Sequence, residues 1–225
     1  AEVCNRAPFE AVWFDLETDF LLEPARKAAL AGTGPSFEKC AAKARQRGRQ
    51  MMEAFVSVKP DFKLIVSHGY GCNMTMCGGD PSKLPDLMWG LWPAFIDGLI
   101  EGCGDHGQVI ESGESTYPMM TYPAFKAWRE WDLLAAEVFS HVSPELRAKS
   151  YRHAMGLWLD FMAHKRGWDE EDPQGNHFSP ERLKHALHNA MAASDEYVWT
   201  WSWHAHWWPN RSPLPSGYVG LAAET

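Results

Sequence analysis

Apolar residues along this chain follow two rhythms. Short runs rich in β-branched and aromatic residues predict strands at residues 9–14 (FEAVWF), 62–67 (FKLIVS), 108–111 (QVIE), 154–159 (AMGLWL) and 197–203 (YVWTWSW). Between them, apolar residues recur at helical spacing. Ser36 caps a helix predicted to run to about Val58, ahead of Pro60. Pro85-Asp86 opens another that reaches Cys103, with a kink expected at Pro93. The stretch from Tyr122 to Phe139 is amphipathic. Ser143-Pro144-Glu145 and Ser179-Pro180-Glu181 each place a capping hydroxyl, a first-turn proline and an acid at a helix start.

Strand and helix patterns alternate, which predicts an α/β fold with a mainly parallel sheet covered by helices. Strand starts fall roughly 43 to 53 residues apart. A complete eight-stranded barrel of minimal units takes about 250 residues, so a chain with loops this long holds about five βα units. The expectation is a partial TIM-barrel-like domain over residues 1–208, open or completed by oligomerisation, followed by a Pro/Gly-containing surface tail at 209–225.

Composition narrows the partners. The formal charge of −8 disfavours a nucleic-acid surface, and the densest basic run, Lys43 to Arg49 (KARQRGR), reads as a solvated helix face. No apolar run reaches membrane-spanning length and no signal peptide is recognised. The five cysteines, Cys4, Cys40, Cys72, Cys77 and Cys103, are too few for a disulfide scaffold. Cys72 and Cys77 fall in a glycine-rich stretch, GYGCNMTMCGG, that reads as a loop able to carry a small clip in an exported protein; Cys40 and Cys103 read as buried thiols. The compartment stays open, with secretion among the readings.

Candidate chemistry gathers at the strand ends. Trp13-Phe14-Asp15-Leu16-Glu17 runs from an apolar strand into two carboxylates at i and i+2, which share a face if the strand continues. Glu111 and Glu114 follow the third strand, with Gly113 able to turn the chain sharply between them. Ligands bind at the C-terminal ends of parallel strands, and paired carboxylates there suit glycoside hydrolysis, one protonating the leaving oxygen and the other attacking or activating water. His68 follows the second strand and Asp160 the fourth, where it serves as a further candidate or a cap. In the final strand, Tyr197, Trp199, Trp201 and Trp203 are expected to share a face packed beneath helices, with Val198, Thr200 and Ser202 facing the crowded interior. His204, His206, Trp207 and Trp208 then line the rim, where indoles stack on sugar. His204 and His206 also form a possible metal pair, and His68 with Cys72 and Cys77 a weaker zinc set. There is no G-x-S-x-G elbow, G-x-G-x-x-G turn or P-loop, so a nucleotide cofactor is not expected.

Three stretches, Phe14-Asp15-Leu16-Glu17, Ala94-Phe95-Ile96-Asp97-Gly98-Leu99 with Glu111-Ser112-Gly113-Glu114-Ser115-Thr116-Tyr117, and Ser194-Asp195-Glu196-Tyr197-Val198-Trp199 with Ser202 and Trp207-Trp208, carry a family likeness. Together they resemble the C-terminal portion of uncharacterised glycoside-hydrolase-like (β/α) barrel proteins. Where that pattern leads to a carboxylate after Trp201-Ser202, this chain has Trp203. The resemblance implies a carbohydrate substrate, with Asp15, Glu17 and Glu114 at the matching polar positions. The expected activity is therefore a glycosidase-like hydrolase without a cofactor. Glu114 acts as acid, Asp15 or Glu17 as nucleophile or base, and Glu111 as a further carboxylate. His68, Tyr117, Trp201, His204, Trp207 and Trp208 bind substrate. Two alternatives stand beside it: a non-catalytic polysaccharide-binding protein, and a metal-dependent hydrolase using His204 and His206. Open strand edges add the expectation of a homo-oligomer.

Overall fold

The computed structural model describes residues 6, 9–15, 23–161, 168–205 and 218. The chain is mixed α/β with parallel strands, and it divides into two compact units: Ala1–Ser112 with Glu130–Arg152, and Gly113–Arg129 with His153–Thr225.

The strands β1 (Ala11–Phe14), β2 (Lys63–Val66), β3 (Gln108–Glu111) and β4 (Tyr151–His153) form one sheet in chain order. β1 and β3 both run parallel to β2, with Phe14, Val66 and Glu111 in register. Around them in the first unit lie α1 (Glu23–Leu30), α2 (Phe37–Val56), α3 (Tyr70–Cys77) and α4 (Trp92–Glu101). α5 (Tyr122–Phe139) and α6 (Pro144–Ser150) follow in the chain. Alternation sends Val12, Phe14, Leu64, Val66 and Val109 to one face, where they pack in a single core with Met52 of α2 and Phe95, Ile96 and Leu99 of α4.

α2 and α4 touch through their backbones. A methyl added at Gly98 would lie 1.9 Å from Arg45 O, and one at Gly48 would lie 2.3 Å from Phe95 O. The pair is clasped on its polar side by Arg45 and Glu101, Nη2 to Oε1 at 2.6 Å. Asp97 is fully buried and accepts from Tyr70 Oη at 2.7 Å, Ser140 Oγ at 2.6 Å and His141 N at 2.8 Å, so its burial is matched by donors.

The second unit is built on β5 (Met155–Trp158) and β6 (Val198–Trp201), a parallel pair with Met155 opposite Val198 and Trp158 opposite Trp201. α7 (Pro180–Ala193) covers one face, its Leu183, Ala186 and Ala190 sharing a core with Met155, Leu157 and Val198. Gly113 adopts φ 78°, and a methyl there would lie 2.5 Å from Ala154 O. This left-handed turn lets Thr116 Oγ1 sit 2.8 Å from Gly156 O and accept from Gly156 N at 3.0 Å.

All five predicted strands are present. The caps Ser36, Ser143 and Ser179 each accept a backbone N–H at the start of the expected helix. Four expectations change. β4 was not foreseen: it follows α6 without a turn signal, and only Ala154 separates it from β5. The glycine-rich stretch around Cys72 is helical, from Gly69 at its N-cap to Gly78 at φ 63°. Five residues of α-helix rise about 7.5 Å, beyond disulfide reach, and Cys72 and Cys77 are both free thiols. Pro93 opens α4, where its missing N–H leaves no bond unmade, and does not kink a longer helix. The fourth change concerns the faces of β6 and is described with the site.

Replacing Gly98 with Ala forces the α2 and α4 backbones apart and should cost about 3 kcal/mol or more. A urea midpoint and slope matching the parent protein would contradict this close packing.

Candidate functional site

The faces of β6 are the reverse of those expected. Val198 turns toward α7, whose Ala186 and Ala190 leave a shallow surface suited to slim side chains. Trp199 and Trp201 turn the other way and are half-buried. They share that face with their register partners on β5, Gly156 opposite Trp199 and Trp158 opposite Trp201. Gly156 is required here: a methyl on it would lie 2.9 Å from the Trp199 ring.

Tyr117, delivered by the Gly113 turn, completes an aromatic surface. Its ring is 5.4 Å from Trp199, 5.9 Å from Trp158 and 6.2 Å from Trp201, the last pair stacked at 22°. Trp158 and Trp201 meet edge to face at 4.7 Å, and Trp203 lies edge-on to Trp201 at 5.6 Å. Each such aromatic pair contributes about 0.5–1.5 kcal/mol beyond its area. Trp203 remains 64% exposed, so the surface ends in an indole open to solvent.

Asp160 holds this rim. Its carboxylate is buried and accepts four N–H donors: Trp158 Nε1 at 2.7 Å, Trp203 N at 2.9 Å, Ala205 N at 3.1 Å and His204 N. One carboxylate thus fixes an indole of β5 and the backbone on which Trp203 and His204 stand. Charge-assisted bonds of this kind are about twice as strong as neutral ones. Asp160 is therefore a structural acceptor for the loop after β6. The exposed His204 ring lies 6.4 Å from that of Trp203.

The first unit places its polar strand ends differently. Asp15 is exposed just past β1 and accepts from Ser67 Oγ at 2.9 Å, and Ser112 Oγ in turn donates to Ser67 O at 2.8 Å. Alternation puts these three on the face opposite the apolar core. Glu111, in register with Val66 and Phe14, belongs to the core face and is 1% exposed. It lies against Gly69, where a methyl would be 2.6 Å from Glu111 Cγ, 2.4 Å from Asp132 Oδ1 and 2.2 Å from Tyr151 Oη. Asp132 accepts from Tyr151 Oη at 2.8 Å and Gly71 N at 2.6 Å. Burial, reinforced by the charges of Asp132 and Glu111, pushes the Tyr151 phenol well above its ordinary value. Glu111 is thus part of a buried polar cluster behind the strand ends, and the structure does not bring it to the face of Asp15.

The His68 ring packs against Trp89 at 4.3 Å with a tilt of 47°, and its carbonyl accepts from Trp92 Nε1 at 2.8 Å. Burial pushes its imidazole down to about 4, against the opposing pull of the Asp15 charge. Glu114 is half-buried at the first position of the short 3₁₀ turn Glu114–Thr116. Glu17, His206, Trp207 and Trp208 lie outside the described residues. Among the described residues, no group of three or more His, Cys, Asp and Glu is placed to hold a metal ion. None of their helices is long and apolar enough to cross a membrane.

No family model, curated protein or solved structure matches the chain. The site is therefore defined by its own geometry. Sequence patterning singled out Tyr117 and Trp201 as ligand contacts and grouped Trp199 and Trp203 with Trp201, though on a face expected beneath helices; it missed Trp158. The signal lay in Gly156: a glycine beside a tryptophan on one strand leaves room for an indole on the next.

Two outcomes follow. Replacing Asp160 with Asn should cost about 3 kcal/mol in urea unfolding, because a neutral amide replaces an acceptor shared by four donors; a loss below about 0.5 kcal/mol would contradict its role. Because His68 is kept neutral in the folded chain, the unfolded chain binds the proton more readily. Stability that His68 contributes is then present above about pH 6.5 and lost as pH falls toward 4. His68→Phe should lose less stability between pH 7 and pH 5 than the parent, and equal losses would refute this.

Proposed function

We propose that this chain is a carbohydrate-active protein whose second unit binds sugar rings on the surface formed by Tyr117, Trp158, Trp199, Trp201 and Trp203. The observation that carries the reading is the arrangement itself: five aromatic rings, one largely exposed, held by a buried carboxylate and not folded into the core. Sugar rings offer apolar C–H faces that match indole faces. A preformed surface also spares the ordering entropy that mobile side chains would lose on binding.

Hydrolysis is the second reading, favoured by Asp15. It is an exposed carboxylate just past the C-terminal end of a parallel strand, the usual ligand-binding end of such sheets. Glycoside hydrolysis needs a second acid close to the first. For the fold, we propose a partial (β/α) barrel of about five units, open or completed by a second copy. Within each sheet the strands follow chain order, as successive βα units do. The strand-end motifs that resemble glycoside-hydrolase-like barrel proteins support the same reading.

A panel of soluble polysaccharides, assayed for binding and for released reducing ends, tests both readings. Binding should weaken about tenfold or more in the Trp201→Ala, Trp203→Ala double variant, the equivalent of about 1.4 kcal/mol. Unchanged affinity would reject the stacking surface. Any hydrolysis should vanish in Asp15→Asn with binding retained, and turnover that survives the substitution would reject that assignment.

A further inference from the structure

A groove of about 330 Å³ in the second unit is lined by Met120 and Thr121, which follow the Gly113 turn, and by Arg182, His185, His188 and Asn189 of α7. Among the described residues its lining holds a guanidinium, two imidazoles, an amide and a hydroxyl, and no carboxylate. Arg182 is fixed in place: Nε donates to Ser179 Oγ at 3.2 Å, Nη1 to His177 O at 3.0 Å and Nη2 to Gln174 O at 2.8 Å. A guanidinium has five N–H donors, so two remain for a ligand. Asn189 Nδ2 donates to Met120 O at 2.8 Å, which joins the two walls of the groove and leaves a second amide N–H. His188 is exposed on the same helix.

The charges around the groove are few. Glu181 pairs with His185 Nε2 at 3.2 Å, and Asp172 accepts from Gln174 N at 3.3 Å in the turn that Arg182 clamps. Lys184 is the other cation of α7. Glu181 thus offsets His185, while Arg182, His188 and Asn189 leave a donor-rich wall in a chain of net charge −8. Anionic groups with several acceptor oxygens are what such a fork-and-amide set recognises.

Position ties the groove to the aromatic surface. Met120 is three residues after Tyr117, so their Cα atoms are at most about 11 Å apart. We propose that the groove binds the anionic substituent of an acidic saccharide, a carboxylate or a sulfate ester, whose rings stack on the aromatic surface. The inference rests on the carbohydrate reading and sharpens it to acidic sugars.

The test uses the full chain, with oligogalacturonate, a sulfated glucan, a neutral glucan of matched length and inorganic sulfate as probes in calorimetric titrations. An acidic saccharide should bind about tenfold tighter than the neutral one, and the preference should shrink as salt is raised. His188→Glu places a carboxylate in the groove from an exposed helix position and should abolish that preference without changing the melting temperature or the neutral affinity. Arg182→Gln should do the same where it folds. The probe whose binding His188→Glu removes identifies the substituent as carboxylate or sulfate. Equal affinity for acidic and neutral saccharides, or a preference that survives His188→Glu, overturns the groove inference and leaves the stacking surface standing. Inorganic sulfate bound with no saccharide bound overturns both.

Discussion

The second unit is organised around a single buried carboxylate. Asp160 takes N–H bonds from the Trp158 indole and from the backbones of Trp203, His204 and Ala205. A buried acid without such donors would carry a desolvation cost of several kcal/mol. With them, it sets the path of the chain as it leaves β6. Trp203 stands at the rim of the aromatic surface because its own amide is anchored, while its ring stays in solvent.

What Asp160 fixes at one end, strand register fixes at the other. The parallel pairing of β5 and β6 puts Gly156 beside Trp199 and Trp158 beside Trp201 on a single face. Since strand side chains alternate, a one-residue slip would carry these indoles onto the alanine surface of α7. Met155, Leu157 and Val198 already fill that side, so the core selects the register and the register creates the aromatic face.

The sequence made much of this architecture legible, for reasons that differ by element. Strands with β-branched runs and helices with a Ser-Pro-Glu start were readable because their signals are local. β4 was not, because three residues following directly on a helix carry no periodicity. The helix at Tyr70–Cys77 was hidden by its glycines, one of which is its cap. Alternation correctly grouped the tryptophans of β6 but could not say which face meets a helix; that depends on Ala186 and Ala190, many residues away. Asp97 and Gly98, part of a motif read as family-like, prove to be structural: the glycine admits the α2 backbone and the acid collects three donors. Glu111 shows the same limit. Its place at a strand end was evident, whereas its burial beside Asp132 and Tyr151 follows from register and from the space Gly69 leaves open.

The account's central claim is that the aromatic face of β5 and β6 is a preformed ligand surface. Its most direct test is the set of tryptophan indole N–H resonances in ¹⁵N-labelled protein during titration with an oligosaccharide. The Trp201 and Trp203 resonances should shift and saturate together, while that of Trp92, buried and bonded to His68 O, stays in place. Saturable saccharide binding that leaves the Trp201 and Trp203 signals unmoved would contradict the account.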